Sequence, residues 1–338
     1  MARRWVRRLL KIAGYGVLVL ILVLAGLITF TIGWRPFFGP SVRPLTDRKF
    51  ESTPERLQRG QYLVEGVVGC FACHSKYDEK ASPMPVLVSK KGDGRVFAEE
   101  GQMMVVAPNI TPDKETGIGN WSDDALARAI REGIGNDGRA LFPIMPYAVF
   151  RKMSDEDLAS VIAYIRSIEP AHSDLPKTRL PFPLSRLVNM FPQQVTAPVQ
   201  PPDVSTPVKR GEYLVTIAAC TDCHTPRGET GRPMSGMDFA GGTVFEDVAA
   251  PNITPDPTGI SYYDESIFLE AIRTGHVKGR TLKPIMPWWQ YRNMTDEDLK
   301  AMFAYLRMLK PIRHRLDNTV PPTECKLCKQ KHGLGDNN

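Results

Sequence analysis

Two five-residue stretches set cysteine, cysteine and histidine at one spacing: Cys70-Phe-Ala-Cys-His74 and Cys220-Thr-Asp-Cys-His224. Cysteines at i and i+3 of a helical turn face the same way. Their thiols can form thioethers to the two vinyl groups on one edge of a porphyrin, and the next residue, His74 or His224, is carried beneath the ring to ligate iron. C-x-x-C-H is the attachment signature of c-type haem. The expectation is two covalently bound haem c groups, with Cys70, Cys73, Cys220 and Cys223 as tethers and His74 and His224 as metal ligands. A structural zinc site needs four ligands, and each stretch offers three, with His276 the one further histidine of the second repeat. A thioredoxin-like C-x-x-C needs a βαβ context, and the pattern lacks one. A disulfide leaves the repeated histidine unexplained.

A second axial ligand must come from far along the chain. Met145 and Met286 are the candidates: each sits in a Pro-Ile-Met-Pro loop, 71 and 62 residues after its histidine. Prolines 143, 146, 284 and 287 would hold those loops extended, and a thioether suits reduced iron and raises its potential. Met153 and Met294 also recur in register, but they precede helix starts and read as hydrophobic staples. Asn109 and Asn252, with Thr111 and Thr254, are candidates for haem propionates or for loop capping. Arg139 and Arg280 are candidates for charge-assisted propionate bonds or solvated loop positions. Tyr62 and Tyr213 read as packing the first helix of each half against Tyr164 and Tyr305. His172, His276, His314 and His332 read as surface residues.

A third pair, Cys325-Lys-Leu-Cys-Lys329, keeps the cysteine spacing and lacks the histidine. A disulfide clip on the tail is the reading. A metal site with His332, or an unusual haem site using Lys329, are the alternatives.

The elements that must position these residues occur twice. Residues 59–75 match 210–226, "APNITPD" occurs at 107–113 and 250–256, "PIMP" occurs in both halves, and "MSDEDLASVIAYIRSI" (153–168) matches "MTDEDLKAMFAYLRML" (294–309). The order is the same each time, so two homologous domains follow one another. Each opens with a helix into C-x-x-C-H, then an irregular Gly- and Pro-rich stretch. A middle helix follows, from Ser122 or Tyr262 to a C-cap at Gly133 or Gly275. After the methionine loop, a last helix is capped by Ser154 or Thr295, with Asp157 or Asp298 at capping-box spacing. Leu158, Ile162 and Ile165, and Leu299, Phe303 and Leu306, form one apolar face each. No strand pattern of useful length is evident, so the domains are expected to be all-α with long loops. The boundaries read as an N-terminal anchor at 1–34, a tether at 35–50, domain 1 at 51–169, a linker of nine prolines at 170–207, domain 2 at 208–312 and a tail at 313–338.

Of the net charge of +6, five units come from Arg3, Arg4, Arg7, Arg8 and Lys11. The remainder is nearly neutral and gives no reason to expect nucleic acid. Ile12 to Gly33 holds 22 residues without a charge, enough helix to cross a roughly 30 Å hydrocarbon core. The run is long for a signal-peptide core, lacks a clear cleavage site, and reads as an uncleaved transmembrane anchor. Positive charge before it puts the N-terminus in the cytoplasm and the rest on the periplasmic side of the inner membrane, where oxidised cysteine is tolerated.

"CxxCH", "APNITPD", "TGIGNWSDDALARAIREG", "GRALFPIMPY" and "MSDEDLASVIAYIRS" together resemble the class I cytochrome c family. The likeness is to bacterial multihaem cytochromes, including cytochrome c subunits of membrane-bound alcohol and gluconate dehydrogenases. It covers most of 59–168, with a looser copy in the second half, and the chain has two haem motifs where those subunits have three. The resemblance implies crossing first and last helices beside each haem, and His/Met ligation by His74 with Met145 and His224 with Met286.

Fully ligated iron leaves no place for substrate, so the expectation is an electron-transfer protein and not an enzyme. Its partners would be a quinol-linked complex, a periplasmic dehydrogenase or a terminal oxidase. A docking subunit of a larger dehydrogenase or oxidoreductase complex is the alternative. A dihaem peroxidase would need one open iron, and matching methionine loops argue against that.

Overall fold

The computed structural model describes residues 2–78, 81, 86–87, 90–228, 231–245 and 248–338; the side chains of Ala2 and Arg3 lie outside the described residues. Within each half, four helices set the frame. The opening helices are Pro54–Tyr62 and Pro207–Ile217. The haem-motif helices are Cys70–His74 and Cys220–His224. The middle helices are Asp123–Glu132 and Glu265–Thr274, and the closing helices are Asp155–Ser167 and Asp296–Met308.

Their ends follow local chemistry. Thr53 and Thr206 accept the amides of Arg56 and Lys209, both at 3.3 Å, with proline at the first helical position. Ser122 and Asp264 cap the middle helices, at 3.1 Å from Ala125 N and 2.8 Å from Ile267 N. Gly133 and Gly275 end them at φ 74° and 71°, left-handed geometry that glycine adopts without cost. Ser154 and Thr295 cap the closing helices through the amides of Asp157 and Asp298, at 3.1 and 3.2 Å.

Opening and closing helices cross within each domain at a glycine. A Cβ on Gly60 would stand 2.0 Å from the Ser160 carbonyl oxygen, and one on Gly211 would stand 1.9 Å from that of Ala301. Contact this close brings the two backbones together and packs Leu158, Ile162 and Ile165 of one closing helix, and Leu299, Phe303 and Leu306 of the other, into the buried core. Met153 and Met294 are fully enclosed just before the caps, as staples should be.

The all-α expectation needs amending. Arg95–Glu100 and Met103–Ala107 form an antiparallel hairpin around Gly101 at φ 55°. The pairing slips between Val96 and Ala98; this bulge breaks the alternation that would have marked a strand. Shorter pairs occur at Val244–Phe245 with Val248–Ala249 and at His276–Val277 with Arg280–Thr281.

The connecting segments are laid down on the domains. In the proline-rich linker, Arg179 exchanges two 2.8 Å backbone bonds with Met104, and Val199 accepts the amide of Asp155 at 3.0 Å. The tether is clamped at Arg43, which donates to Asp124 at 2.7 and 2.8 Å and to Glu132 at 2.6 Å. The tail is folded too: Pro322–Glu324 pairs with Lys331–Gly333 in a small hairpin. The Asn318 side chain exchanges bonds with the Ala249 backbone at 2.9 and 3.0 Å. The N-terminal helix Ala2–Phe30 contains one segment, Arg4–Phe30, long and apolar enough to cross a membrane, with an 18-residue stretch of mean hydropathy 2.5 that is not buried against the domains.

Candidate functional site

Each motif helix begins after a left-handed residue, Gly69 at φ 63° and Ala219 at φ 58°. That kink turns the chain out of the opening helix and presents Cys70, Cys73, Cys220 and Cys223 half-buried beside the core. All four are free cysteines. Burial pushes the Cys70 and Cys220 thiols up to about 12 and Cys223 up to about 11, and raises Cys73 as well. The low-pKa thiol of a thiol–disulfide oxidoreductase is shifted the opposite way.

The histidines are oriented from behind. His74 Nδ1 lies 2.7 Å from the Pro108 carbonyl, and His224 Nδ1 lies 2.8 Å from that of Pro251. Burial lowers the pKa of both imidazoles against the pull of those carbonyls. A neutral ring whose Nδ1–H is held by a carbonyl offers its Nε2 lone pair outward, the arrangement found behind metal-ligating histidine. The donor set fits a c-type haem: two thiols three residues apart in one helical turn, an oriented imidazole and a thioether loop per domain.

This geometry explains why "APNITPD" recurs. Its proline supplies the carbonyl, and its asparagine fixes the loop. Asn109 Oδ1 accepts the amide and hydroxyl of Thr111 at 2.9 and 2.8 Å, while Nδ2 donates to Thr116 at 3.0 Å and to the Ala171 carbonyl at 2.6 Å. Asn252 repeats this with Thr254, Thr258 and Ile312 at 2.9, 2.8, 3.2 and 2.7 Å. Both amides are buried and fully engaged, which favours loop holding over propionate binding. Arg139 is exposed and donates to Asp137 at 3.1 Å, and Arg280 is exposed beside Tyr263 and Asp317.

Met145 and Met286 are half-buried in matching turns, where the amides of Tyr147 and Trp288 each return to the methionine carbonyl at 2.8 Å. The preceding Ile144 and Ile285 are exposed.

The two halves meet through a pseudo-twofold seam that sequence reasoning missed. Tyr213 reaches into domain 1, donating to Asp157 at 2.6 Å and accepting the Ser154 amide at 3.1 Å. Tyr62 does the same in domain 2, with Asp298 and, at 3.3 Å, the Thr295 amide. The tyrosines therefore do not pair with Tyr164 and Tyr305 as expected, and the reciprocal half of each capping box is supplied by the opposite domain. After the second methionine loop, Trp288–Tyr291 packs against domain 1. The Gln290 amide lies against Gly69, where a Cβ would stand 2.0 Å away, and Trp289 meets Tyr77 edge-on at 5.1 Å. Burial, with Cys220, Cys223 and Cys73 nearby, raises the Tyr291 hydroxyl well above its ordinary pKa. The Tyr291 hydroxyl donates to the Ala218 carbonyl at 2.8 Å, so one short helix touches the chain just before both haem motifs.

The family model described as cytochrome c matches residues 57–169 and 208–310. The chain belongs to the cytochrome c family. It is 33% identical over 278 residues to the fructose dehydrogenase cytochrome subunit of Gluconobacter japonicus, covering 78% of this chain and 54% of that one. It is 28% identical to the cytochrome c subunit of the quinone alcohol dehydrogenase of Gluconacetobacter polyoxogenes, covering 76% and 56%. A diheme cytochrome c-type protein of Cereibacter sphaeroides is 28% identical, covering 72% and 83%. The chain therefore spans about half the length of the two dehydrogenase subunits. Two covalently bound haem c groups, one per matched region, follow from the family and the dihaem relative.

Four histidines were expected at the surface. His172 and His276 are exposed, but His314 and His332 are 0% and 3% exposed. Cys325 and Cys328 are free, not disulfide-bonded, and equally buried. The spacing Cys-x2-Cys-x3-His, with a histidine eleven residues upstream, was the signal that could have joined them.

Proposed function

We propose that this chain is a membrane-anchored dihaem cytochrome c that relays single electrons on the periplasmic side of the inner membrane. Cys70 and Cys73 would tether one haem, with His74 and Met145 as the residues that hold its iron; Cys220 and Cys223 would tether the other, with His224 and Met286. When bound, each haem supplies an iron that cycles between ferric and ferrous. The protein holds neutral imidazoles through Pro108 and Pro251, fixes the methionine loops, and keeps the two motifs in a fixed relation. Helix Ala2–Phe30 would anchor the assembly, as its length and apolar surface allow.

The observation that carries this reading is the seam. Helix Trp288–Tyr291, contiguous with the Met286 loop, touches both motifs: Gln290 lies against Gly69, just before Cys70, and the Tyr291 hydroxyl donates to the Ala218 carbonyl, just before Cys220, at 2.8 Å. Two redox centres on one rigid seam suit exchange between them better than two independent tasks. Rapid-mixing reduction of the full-length protein tests it. Reduction of one haem by a substoichiometric donor should be followed by a concentration-independent redistribution to the other. Redistribution that scales with protein concentration would refute an internal relay.

Relatives named as cytochrome subunits of fructose and alcohol dehydrogenases favour a second reading, in which the relay is a subunit of a periplasmic dehydrogenase complex. Stoichiometric co-purification with a dehydrogenase after gentle detergent extraction would establish it.

A further inference from the structure

The C-terminal segment holds four metal-ligating side chains that the haem sites do not use. His314 follows the closing helix of domain 2, Cys325 and Cys328 sit at the turn of the Pro322–Glu324 and Lys331–Gly333 hairpin, and His332 lies on its second strand. All four are buried, and their ligand atoms lie within 4.8 Å of one another. His314 Nε2 is 3.4 Å from Cys325 Sγ, and His332 Nε2 is 3.4 Å from Cys328 Sγ. With metal–sulfur and metal–nitrogen bonds of about 2.3 and 2.0–2.1 Å, a tetrahedral angle puts sulfur and nitrogen about 3.5 Å apart. The observed spacing matches.

Each imidazole is oriented for this. His314 Nδ1 bonds the Ala240 carbonyl at 2.9 Å and His332 Nδ1 bonds that of Gly333 at 3.0 Å, which leaves both Nε2 atoms facing the thiols. The Cys328 amide points at Cys325 Sγ from 3.5 Å, a bond that stabilises thiolate charge. The backbone makes room: Gly242, at φ 95°, passes so close that a Cβ would stand 2.7 Å from His314 Cε1. A haem on this pair would need a histidine in place of exposed Lys329 and a domain to enclose it.

We propose that His314, Cys325, Cys328 and His332 form a structural zinc site that pins the C-terminal hairpin to domain 2. Binding takes one Zn²⁺ and releases a proton from each thiol, with no change of oxidation state. Two sulfurs and two nitrogens in a tetrahedron select zinc or iron–sulfur chemistry. A two-iron cluster would set thiolates and imidazoles on opposite irons, farther apart than the four atoms are. Closed four-ligand coordination has no open position for substrate, so the role is structural. It also explains how two adjacent cysteines stay reduced outside the cytoplasm. The site braces the second haem motif: Ala240, held by His314, precedes Gly241, whose amide donates to the His224 carbonyl at 2.7 Å.

The experiment is elemental analysis of the full-length holoprotein, purified in detergent from a host competent in haem attachment. The expected result is one zinc for every two haem irons. Cys325→Ser/Cys328→Ser should lose about tenfold in zinc while keeping both haems, and its hairpin should become sensitive to protease. Zinc well below one per chain, iron in excess of haem, or a Cys325–Cys328 disulfide in the wild-type mass map would each overturn the proposal, whether or not the variant folds.

Discussion

The Tyr213 hydroxyl of the second domain lies 2.6 Å from the Asp157 carboxylate of the first, and also accepts the Ser154 amide that begins the closing helix. Tyr62 makes the mirror contact with Asp298 and Thr295. Each opening helix therefore caps the closing helix of the other domain. Arg59 and Arg210 add a second layer, each paired with the aspartate of its own domain. Replacing Tyr213 by Phe leaves a buried amide and a carboxylate short of one partner, which costs about 1–3 kcal/mol. Thermal unfolding should show that loss and a similar one for Tyr62→Phe, and the double variant should depart from simple addition, because Arg59 pairs with Asp157 and lies over the Tyr62 ring at 5.7 Å. Haem spectra should stay unchanged.

The glycine crossings leave no room for a side chain. Gly60→Ala and Gly211→Ala force a methyl into the Ser160 or Ala301 carbonyl, and overpacking of this kind costs about 1–3 kcal/mol or more. The expected outcome is a lower melting temperature and less holoprotein, in the substituted domain first.

Met286→Leu should abolish the far-red sulfur-to-iron band of one haem and lower its potential, since thioether ligation raises it. Met145→Leu should do the same for the other haem alone. An unchanged spectrum in either variant would assign that iron to another residue.

The tether clamp is pH-dependent. Burial raises the Asp124 pKa, but the hydrogen bonds of Arg43 and the Thr46 amide outweigh it, so the carboxyl is held below its ordinary value. The unfolded chain binds that proton first. The Asp124 contribution is therefore complete above about pH 4 and lost as pH falls through the lower folded value. Glu132 acts with the opposite sign, because burial raises its pKa despite Arg43. Arg43→Ala leaves two buried carboxylates without their cation and should cost about 3–5 kcal/mol at neutral pH. The loss should shrink on acidification. Melting curves of the two proteins from neutral pH to pH 3 check both statements.

Much of the site was legible because its chemistry is local. C-x-x-C-H, the capping residues and the methionine loops each act within a few residues of chain, and the repeat marks them twice. The seam was not legible, since Tyr62 and Tyr213 satisfy an intrachain packing pattern as well as a cross-domain bond, and the ring alone does not say which aspartate it reaches. The hairpin at Arg95–Ala107 was hidden by its bulge. The buried histidines were hidden by distance: His314 and His332 stand 18 residues apart, and only folding of the hairpin brings them to Cys325 and Cys328. Asn109 and Asn252 were visible as important, but the partner, a loop carbonyl, was not.

The central claim is one tethered haem per repeat, and intact mass with peptide mapping tests it most directly. Full-length protein from a host that attaches haem should weigh the polypeptide plus two haems, with one on the peptide of Cys70 and Cys73 and one on that of Cys220 and Cys223. A polypeptide of unmodified mass, or both haems mapping to one half of the chain, would contradict the account.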